Sequence, residues 1–286
     1  VPLLPVNGKA LIEHTFEDLA AADVKSILLV VAEEQDERMR AQLGAGGAWG
    51  LDVDYVSARS GESPSQLARR VADRLPESFL AMRGDVYRSG SIRSFRDAAN
   101  NVLAKQVVAQ INGQSAQLCM CRQRDLHLDV LTWDPSRRNA MENWRTIRVD
   151  GADFSHLYDT TEFYLANLDG LDSRVAELNA GRDSSDARFF AGSNTELPTR
   201  VVRDGPVLVG NNCTIGNDVQ LIGPVVIGND VRIDDGAFLH ACVVLPGTHV
   251  PADTELRNAV VTSEIALGIA GNVICRFADR LDGAQG

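Results

Sequence analysis

Residues 209–251 read VGNNCTIGNDVQLIGPVVIGNDVRIDDGAFLHACVVLPGTHVP. Within this stretch Val209, Ile215, Leu221, Ile227, Ile233, Leu239, Leu245 and Pro251 recur at an unbroken spacing of six. Two residues ahead of the anchors from Ile215 to Leu245 runs a second row of small or branched residues, Cys213, Val219, Val225, Val231, Ala237 and Val243. Two inward positions in every six describe a triangular coil whose rungs bury a core only by stacking on one another. Gly210, Gly216 and Gly228 follow their anchors directly, where a tight corner needs either positive φ or a residue without Cβ. The pattern predicts a short left-handed parallel β-helix with coils over about 197–265, in a domain spanning 193–270. At three hexads per turn the repeat gives two to three turns, so the coils read as an appendage to the domain before them. Open coil ends leave unpaired backbone groups, which predicts a homo-oligomer contacting through the β-helix.

A chain of 286 residues exceeds one ordinary domain core, and two domains are expected, 1–192 and 193–270, with 271–286 as a tail. Twenty-eight basic residues against 39 acidic ones give a net charge of −11, which argues against nucleic acid or an anionic membrane surface as a partner. No run approaches the ~18–20 apolar residues of a membrane span, and the opening Val1-Pro2-Leu3-Leu4-Pro5 lacks the basic flank of a signal peptide. The cytoplasm is the expected compartment. Of five cysteines only Cys119 and Cys121 stand close together; without a second cluster they read as buried reduced thiols. Lysine is confined to Lys9, Lys25 and Lys105, which limits where lysine-dependent chemistry could be placed.

Apolar spacing over 11–22 predicts an amphipathic helix, 26–32 a buried strand, 34–43 a helix and 51–57 a second strand. Helix 64–75, with proline in its first turn, precedes a third strand at 79–83 that ends in Gly84-Asp85. Such alternation predicts a doubly wound, mostly parallel α/β sheet, in which ligands bind beyond the carboxyl ends of the strands. Asp85 therefore lies where a functional carboxylate is expected, although Gly-Asp is also an ordinary turn. Further on, 92–99 reads as a helix, 106–111 and 116–121 as strands about the Asn112-Gly113 turn, 134–143 as loop and 144–149 as another strand. A helix from about 161 to 168 and a helical tail at 174–179 complete the first domain.

An α/β domain leading into hexapeptide coils resembles the sugar-1-phosphate nucleotidylyltransferases. The segment Pro2-Leu3-Leu4-Pro5-Val6-Asn7-Gly8-Lys9-Ala10-Leu11-Ile12-Glu13-His14 is similar to that family's "PLLPV-x-GKPLIEH" string, and the run over 43–56 with Trp49-Gly50 to the loop before its second strand pair. Gly84-Asp85 matches the family's strand-end Gly-Asp. Tyr158-Asp159-Thr160-Thr161-Glu162-Phe163-Tyr164-Leu165-Ala166-Asn167 looks like its "D-x-x-T-P-E-x-Y-x-x-A-N" segment. The strings VVLPGTHVP and TELRNAVV look like the tail of the mannose-1-phosphate guanylyltransferases and related enzymes.

The resemblance implies transfer of a nucleotidyl group from an NTP to a sugar 1-phosphate, giving an NDP-sugar for polysaccharide synthesis, with GDP-mannose the first choice. A sugar phosphate oxygen attacks the α-phosphorus and pyrophosphate leaves, so catalysis is positioning and charge stabilisation. Asp85 is the implied catalytic residue and holds Mg²⁺ together with Asp159, for which Asp153 competes. Lys9, Arg83 and Arg88 are the candidate substrate-binding cations. Asp159 also suits a helix N-cap, and Arg83 and Arg88 also suit ordinary arginines near a strand end.

The chain departs from the family pattern at several places. The family's "G-x-G-T-R" loop precedes the PLLPV segment, and Val1 stands where the family carries a phosphate-binding lysine. The later "E-K-P" string has no match, Gly44-Ala45-Gly46-Gly47 follows a helix where a phosphate cradle follows a strand, and Ser60-Gly61-Glu62-Ser63-Pro64-Ser65 replaces the base-reading "L-G-T-A-G". Either the sequence lacks its natural start, and with it a central first strand of the sheet, or the protein is a diverged member serving as a scaffold or regulatory subunit. Hexapeptide coils also build acyltransferases that use a corner imidazole as general base, for which His240 and His249 are candidates. His14 falls on the apolar face of the first helix and reads as packing.

Overall fold

The computed structural model describes residues 2–122, 126–131, 144–180, 187–198 and 200–277. The chain divides into two compact units. One holds residues 11–156 with the first three residues; the other holds 157–286 together with residues 4–10. The division differs from the boundary read at 192, because helices assigned to the α/β domain belong with the coils.

In the α/β unit, α1 (Leu11–Ala21) leads to β3 (Ser26–Ala32), α2 (Asp36–Leu43) and β4 (Asp52–Ala58); the strands β1 (Pro5–Val6) and β2 (Lys9–Ala10) precede α1 in the sequence but belong to the other unit. Helix α3 (Pro64–Arg70) starts on a capping box in which Ser63 and Gln66 satisfy each other's backbone N–H, and Pro64 fills the first turn. Then come β5 (Phe79–Met82), β6 (Tyr87–Ser89), α4 (Ile92–Asn100), β7 (Gln106–Ile111), β8 (Gln114–Cys121), β9 (Thr146–Arg148) and β10 (Asp153–Ser155). The Asn112-Gly113 turn makes the expected hairpin of β7 and β8, with both residues at positive φ. The loop read at 134–143 lies outside the described residues.

The strands form separate pieces. β3 and β4 are a parallel pair, β5-β8-β7-β9 a mixed sheet, and β6 pairs antiparallel with β10. The parallel character expected of the sheet resides in β3–β4 and β7–β9; the hairpin makes the other pairings of the four-stranded sheet antiparallel. Ile27 of β3 packs into the same cluster as Leu80 and Met82 of β5. Leu28 and Val30 pack with Leu75, which also touches the cluster holding Phe79 and Ala81. The two strands thus flank common cores on both faces, yet no backbone hydrogen bond joins them among the described residues. Ile27, Leu28, Leu29 and Val30 are all half-buried in succession, and so are the four residues of β5. A strand with one wet face alternates in exposure, and these two strands do not.

The second unit opens with α5 (Thr160–Leu168), whose N-cap Asp159 accepts from Glu162 N–H, and α6 (Leu171–Asn179). Its coils begin at β11 (Phe189–Ala191) and continue through β12 (Val202–Asp204), β13 (Val207–Val209), β14 (Thr214–Ile215), β15 (Gln220–Ile222), β16 (Val225–Ile227) and β17 (Arg232–Ile233). They close with β18 (Phe238–Val244), β19 (His249–Val250) and β20 (Glu255–Val261). Pairing is parallel throughout these coils, on the ladders β11-β13-β16-β18-β20, β12-β15-β18 and β14-β17-β19. The anchors Val209, Ile215, Leu221, Ile227, Ile233 and Leu239 are at most 3 % exposed, as six-residue spacing requires. At about 1.5–3 kcal/mol for each buried aliphatic side chain, this column supplies much of the unit's cohesion.

Two anchors are corrected. Gln220 pairs with Phe238, 18 residues on, but Val226 pairs with Val243, 17 residues on. The corner after His240 is one residue shorter than the corner holding Gly223-Pro224, so the inward row shifts to Cys242, Val244, Val250 and Leu256. Leu245 and Pro251 are half-exposed, and Val243 points away from the interior cluster although it is buried. The shortened corner also lets two faces run on as single strands, which makes β18 and β20 seven residues long. Gly210 and Gly228 follow their anchors for want of a Cβ rather than for positive φ: a Cβ there would lie 2.6 Å from the backbone of the next coil.

The expected tail is structured through Phe277. β21 (Ile265–Gly268) pairs antiparallel with β20, and β22 (Val273–Arg276) with β21, so the chain doubles back along the last coil. A further row, Leu208, Val226, Val243 and Val260, is buried on the outer surface of the β13-β16-β18-β20 ladder, against which α5 packs. This explains the continuous apolar runs in those strands, since a parallel sheet buried on both faces needs no alternation. Cys119, Cys121, Cys213 and Cys242 are buried free thiols and Cys275 is half-buried. No helix among the described residues is long and apolar enough to cross a membrane.

Candidate functional site

Asp85 follows β5 at the carboxyl end of the strand, where open α/β sheets place their ligands. Gly84 before it is fitted to α1: a Cβ there would stand 2.7 Å from Ile12 Cδ1. The carboxylate is engaged within its own turn. Arg83 Nε donates to Asp85 Oδ1 at 2.7 Å, and a second guanidinium nitrogen donates to Oδ2. Arg83 is 6 % exposed, so this is a fork-on-carboxylate pair with its cation inside the unit.

Arg88 lies deeper. It is 1 % exposed and donates to the carbonyl oxygens of Ala116 and Arg83, while its Nε finds no acceptor among the described groups. Burial pulls its guanidinium down to about 10, against the opposing pull of Asp18 and Asp85. Arg88 therefore fixes the backbone of the Arg83-Gly84-Asp85 turn from within. Asp18 of α1 is also buried and accepts from the backbone N–H groups of Ser91 and Ile92, capping α4 with a carboxylate. These arginine contacts were not foreseen in the sequence. A signal existed in the two-residue spacing of Arg83 and Asp85, which puts both side chains on one side of a strand end.

Lys9 is half-buried on β2, in the hairpin β1–β2. The hairpin turn holds Asn7 at φ 48° and Gly8 at φ 78°. Asn7 N–H donates to Asn167 Oδ1 at 2.9 Å, and Asn7 Nδ2 to the carbonyl of Ala166 at 3.3 Å. Asp159 is an exposed helix cap in the second unit, as the alternative reading of its sequence allowed. Asp153 pairs through its backbone with Ser89. Asp85 and Asp153 belong to the α/β unit, and Lys9 and Asp159 to the coil unit.

A divalent metal is tested most directly by Asp85. Its chemistry suits Mg²⁺, but both oxygens already face the Arg83 guanidinium, and the Asp159 carboxylate is spent on a helix N-terminus. No group of three potential ligands occurs among the described residues. In this arrangement Asp85 would hold a divalent ion only with Arg83 turned away.

Two histidines on the coils were candidates for acyl transfer. His249 Nε2 is 2.7 Å from Asp234 Oδ2, whose other oxygen accepts from Arg232 Nε at 2.7 Å. His240 is half-buried on β18. His14 makes an edge-on contact with Tyr87, in keeping with packing.

Comparison with known families gives two matches. Residues 1–108 match the family described as Nucleotidyl transferase, and residues 206–241 match Bacterial transferase hexapeptide (six repeats). A nucleotidyltransferase-type α/β domain is joined here to a hexapeptide solenoid. No curated protein sequence matches the chain. Among solved structures, a Bacillus anthracis protein described as a glucose-1-phosphate thymidylyltransferase, in complex with a sucrose, is 14 % identical with a TM-score of 0.47. The superposition covers 58 % of this chain and 84 % of that one. That likeness is too distant to bear on substrate.

Proposed function

We propose that this protein transfers a nucleotidyl group from an NTP to a sugar 1-phosphate, releasing pyrophosphate. What carries the reading is the nucleotidyltransferase match over residues 1–108, which contain Lys9 and the Arg83-Gly84-Asp85 strand end. The reaction gathers several phosphate charges about one phosphorus, so the residues that serve it are cations held in place. Arg83 is such a cation. Asp85 orients it in a bidentate pair and Arg88 fixes the carbonyl behind it. Lys9 supplies a second positive charge on a short hairpin. Mannose 1-phosphate with GTP is the first pair to try, and glucose 1-phosphate with UTP or dTTP the next.

The test is pyrophosphate release by the purified protein from each triphosphate with each sugar phosphate, alongside Asp85→Asn and Lys9→Ala. Turnover that both substitutions abolish supports the reading. Absence of turnover together with absence of nucleotide binding by calorimetry overturns it. The second outcome would favour a scaffold or regulatory subunit, a reading supported by one observation here: the strand-end carboxylate is already neutralised by Arg83.

A further inference from the structure

Helix α5 carries three polar side chains spaced by three residues, Thr161, Tyr164 and Asn167, and each reaches a different part of the coil unit. Thr161 Oγ1 donates to the carbonyl of Ile269, in the turn between β21 and β22, at 2.8 Å. Tyr164 Oη donates at 2.9 Å to the carbonyl of Ala241, the residue at φ 50° in the shortened corner. Asn167 accepts from Asn7 N–H and donates through Nδ2 to the carbonyls of Pro5 and Phe163 at 3.4 and 3.0 Å. Tyr164 is 5 % exposed, Asn167 1 % and Asn7 5 %. A hydrogen bond in such a setting is costly to leave unmade, so each fixes the position of what it holds. The outer apolar row Leu208, Val226, Val243 and Val260 seats the helix, and Leu208 Cδ2 lies 3.3 Å from where a Cβ on Gly8 would be.

We propose that Tyr164 and Asn167 are positioning residues: through α5, the solenoid sets the Asn7-Gly8 turn and thereby the placement of Lys9. The effect on substrate rests on the nucleotidyl-transfer reading above, whereas the mechanical link does not. The solenoid, on this view, is a fixed reference against which a substrate-binding hairpin is held. Tyr164 hydrogen-bonds to the coils, at Ala241 and Asn258, so an influence on the hairpin is the distinguishing consequence.

Amide hydrogen exchange of the full chain tests the link without any assay of activity. Tyr164→Phe removes one hydroxyl and leaves the ring in place. It should speed exchange at Asn7 and Lys9 by roughly three- to tenfold, the range expected for one lost hydrogen bond. Asn167→Ala should do so by at least as much. Faster exchange confined to residues 238–244 in Tyr164→Phe, with residues 4–10 at the wild-type rate, overturns the proposal. In an active enzyme Tyr164→Phe should raise KM for one phosphate substrate about threefold with kcat unchanged, the signature of lost ground-state binding. In a Lys9→Ala background the same substitution should leave the calorimetric Kd of that phosphate substrate where Lys9→Ala set it; a further rise would mean that Tyr164 acts elsewhere and would sink the idea. A wild-type protein with neither turnover nor nucleotide binding refutes only the nucleotidyl-transfer reading, and exchange then decides the link.

Discussion

Corresponding positions in the two units are buried to very different degrees. Along the solenoid, Val209, Leu221, Ile227 and Ile233 are wholly out of contact with water, and each rung is bonded above and below by its neighbours. In the α/β unit, Ile27, Leu28, Leu29 and Val30 have side chains just as apolar, yet all are half-exposed, and among the described residues β3 pairs with β4 alone. Composition alone therefore does not say how much a residue contributes. A solenoid matches every strand with a copy of itself, whereas a split sheet leaves backbone and side chains without a counterpart on one side.

The comparison is broken most directly at Ile227. Ile227→Asp buries a carboxylate between rungs and should cost more than about 4 kcal/mol, enough to unfold the coils. Urea denaturation followed by circular dichroism measures it, and a wild-type midpoint would remove the inward assignment of the six-residue anchors. Asp85→Asn comes next. It strips the anion from an arginine that is itself buried, and should cost about 2 kcal/mol, less than a fully buried pair because Asp85 is partly wet. Equal stability of the variant would mean that Arg83 finds another partner.

A matched pair sharpens the contrast further. Ile227→Ala should cost about 3 kcal/mol and Ile27→Ala about 1 kcal/mol, since the second removes side chain already in water. Equal costs would show that β3 is covered in solution. The smallest expected effect lies at Glu62, whose carboxyl is held at about 2 by its hydrogen bond from Arg70, well below its ordinary 4.5. Its contribution is present above pH 4.5, where the unfolded chain also carries the ionised group, and is lost as pH falls toward 2. Wild type and Glu62→Gln should therefore differ in thermal midpoint near neutrality and converge in acid; a gap that widens below pH 4 would reverse the sign.

The coils were legible because a stacking repeat must write its period into the sequence. The slip after Leu239 was not legible, because the run Cys242-Val243-Val244-Leu245 offers an apolar side chain in either register. Only the strand pairing separates the two. The outer row at Leu208, Val226, Val243 and Val260 was visible in principle, being apolar at positions where a free coil would be polar. At the candidate site, Asp85 was found from the strand-end rule, but the burial of Arg88 ran against the usual habit of arginine and rests on carbonyls distant in sequence. The hairpin at Lys9 escaped notice because its strands are two residues long.

The cysteines turn this two-unit construction into a timing device. Burial raises the Cys213 thiol and pushes Cys242 up to about 11, so neither offers much thiolate at neutral pH while the coils are closed. Cys119 and Cys121 sit inside the other unit, and Cys275 is the most accessible of the five. A thiol reagent added to the native protein should modify Cys275 first. The later modifications then date the opening of each unit separately, with Cys119 and Cys121 as the clock of the split sheet and Cys213 and Cys242 as the clock of the coils.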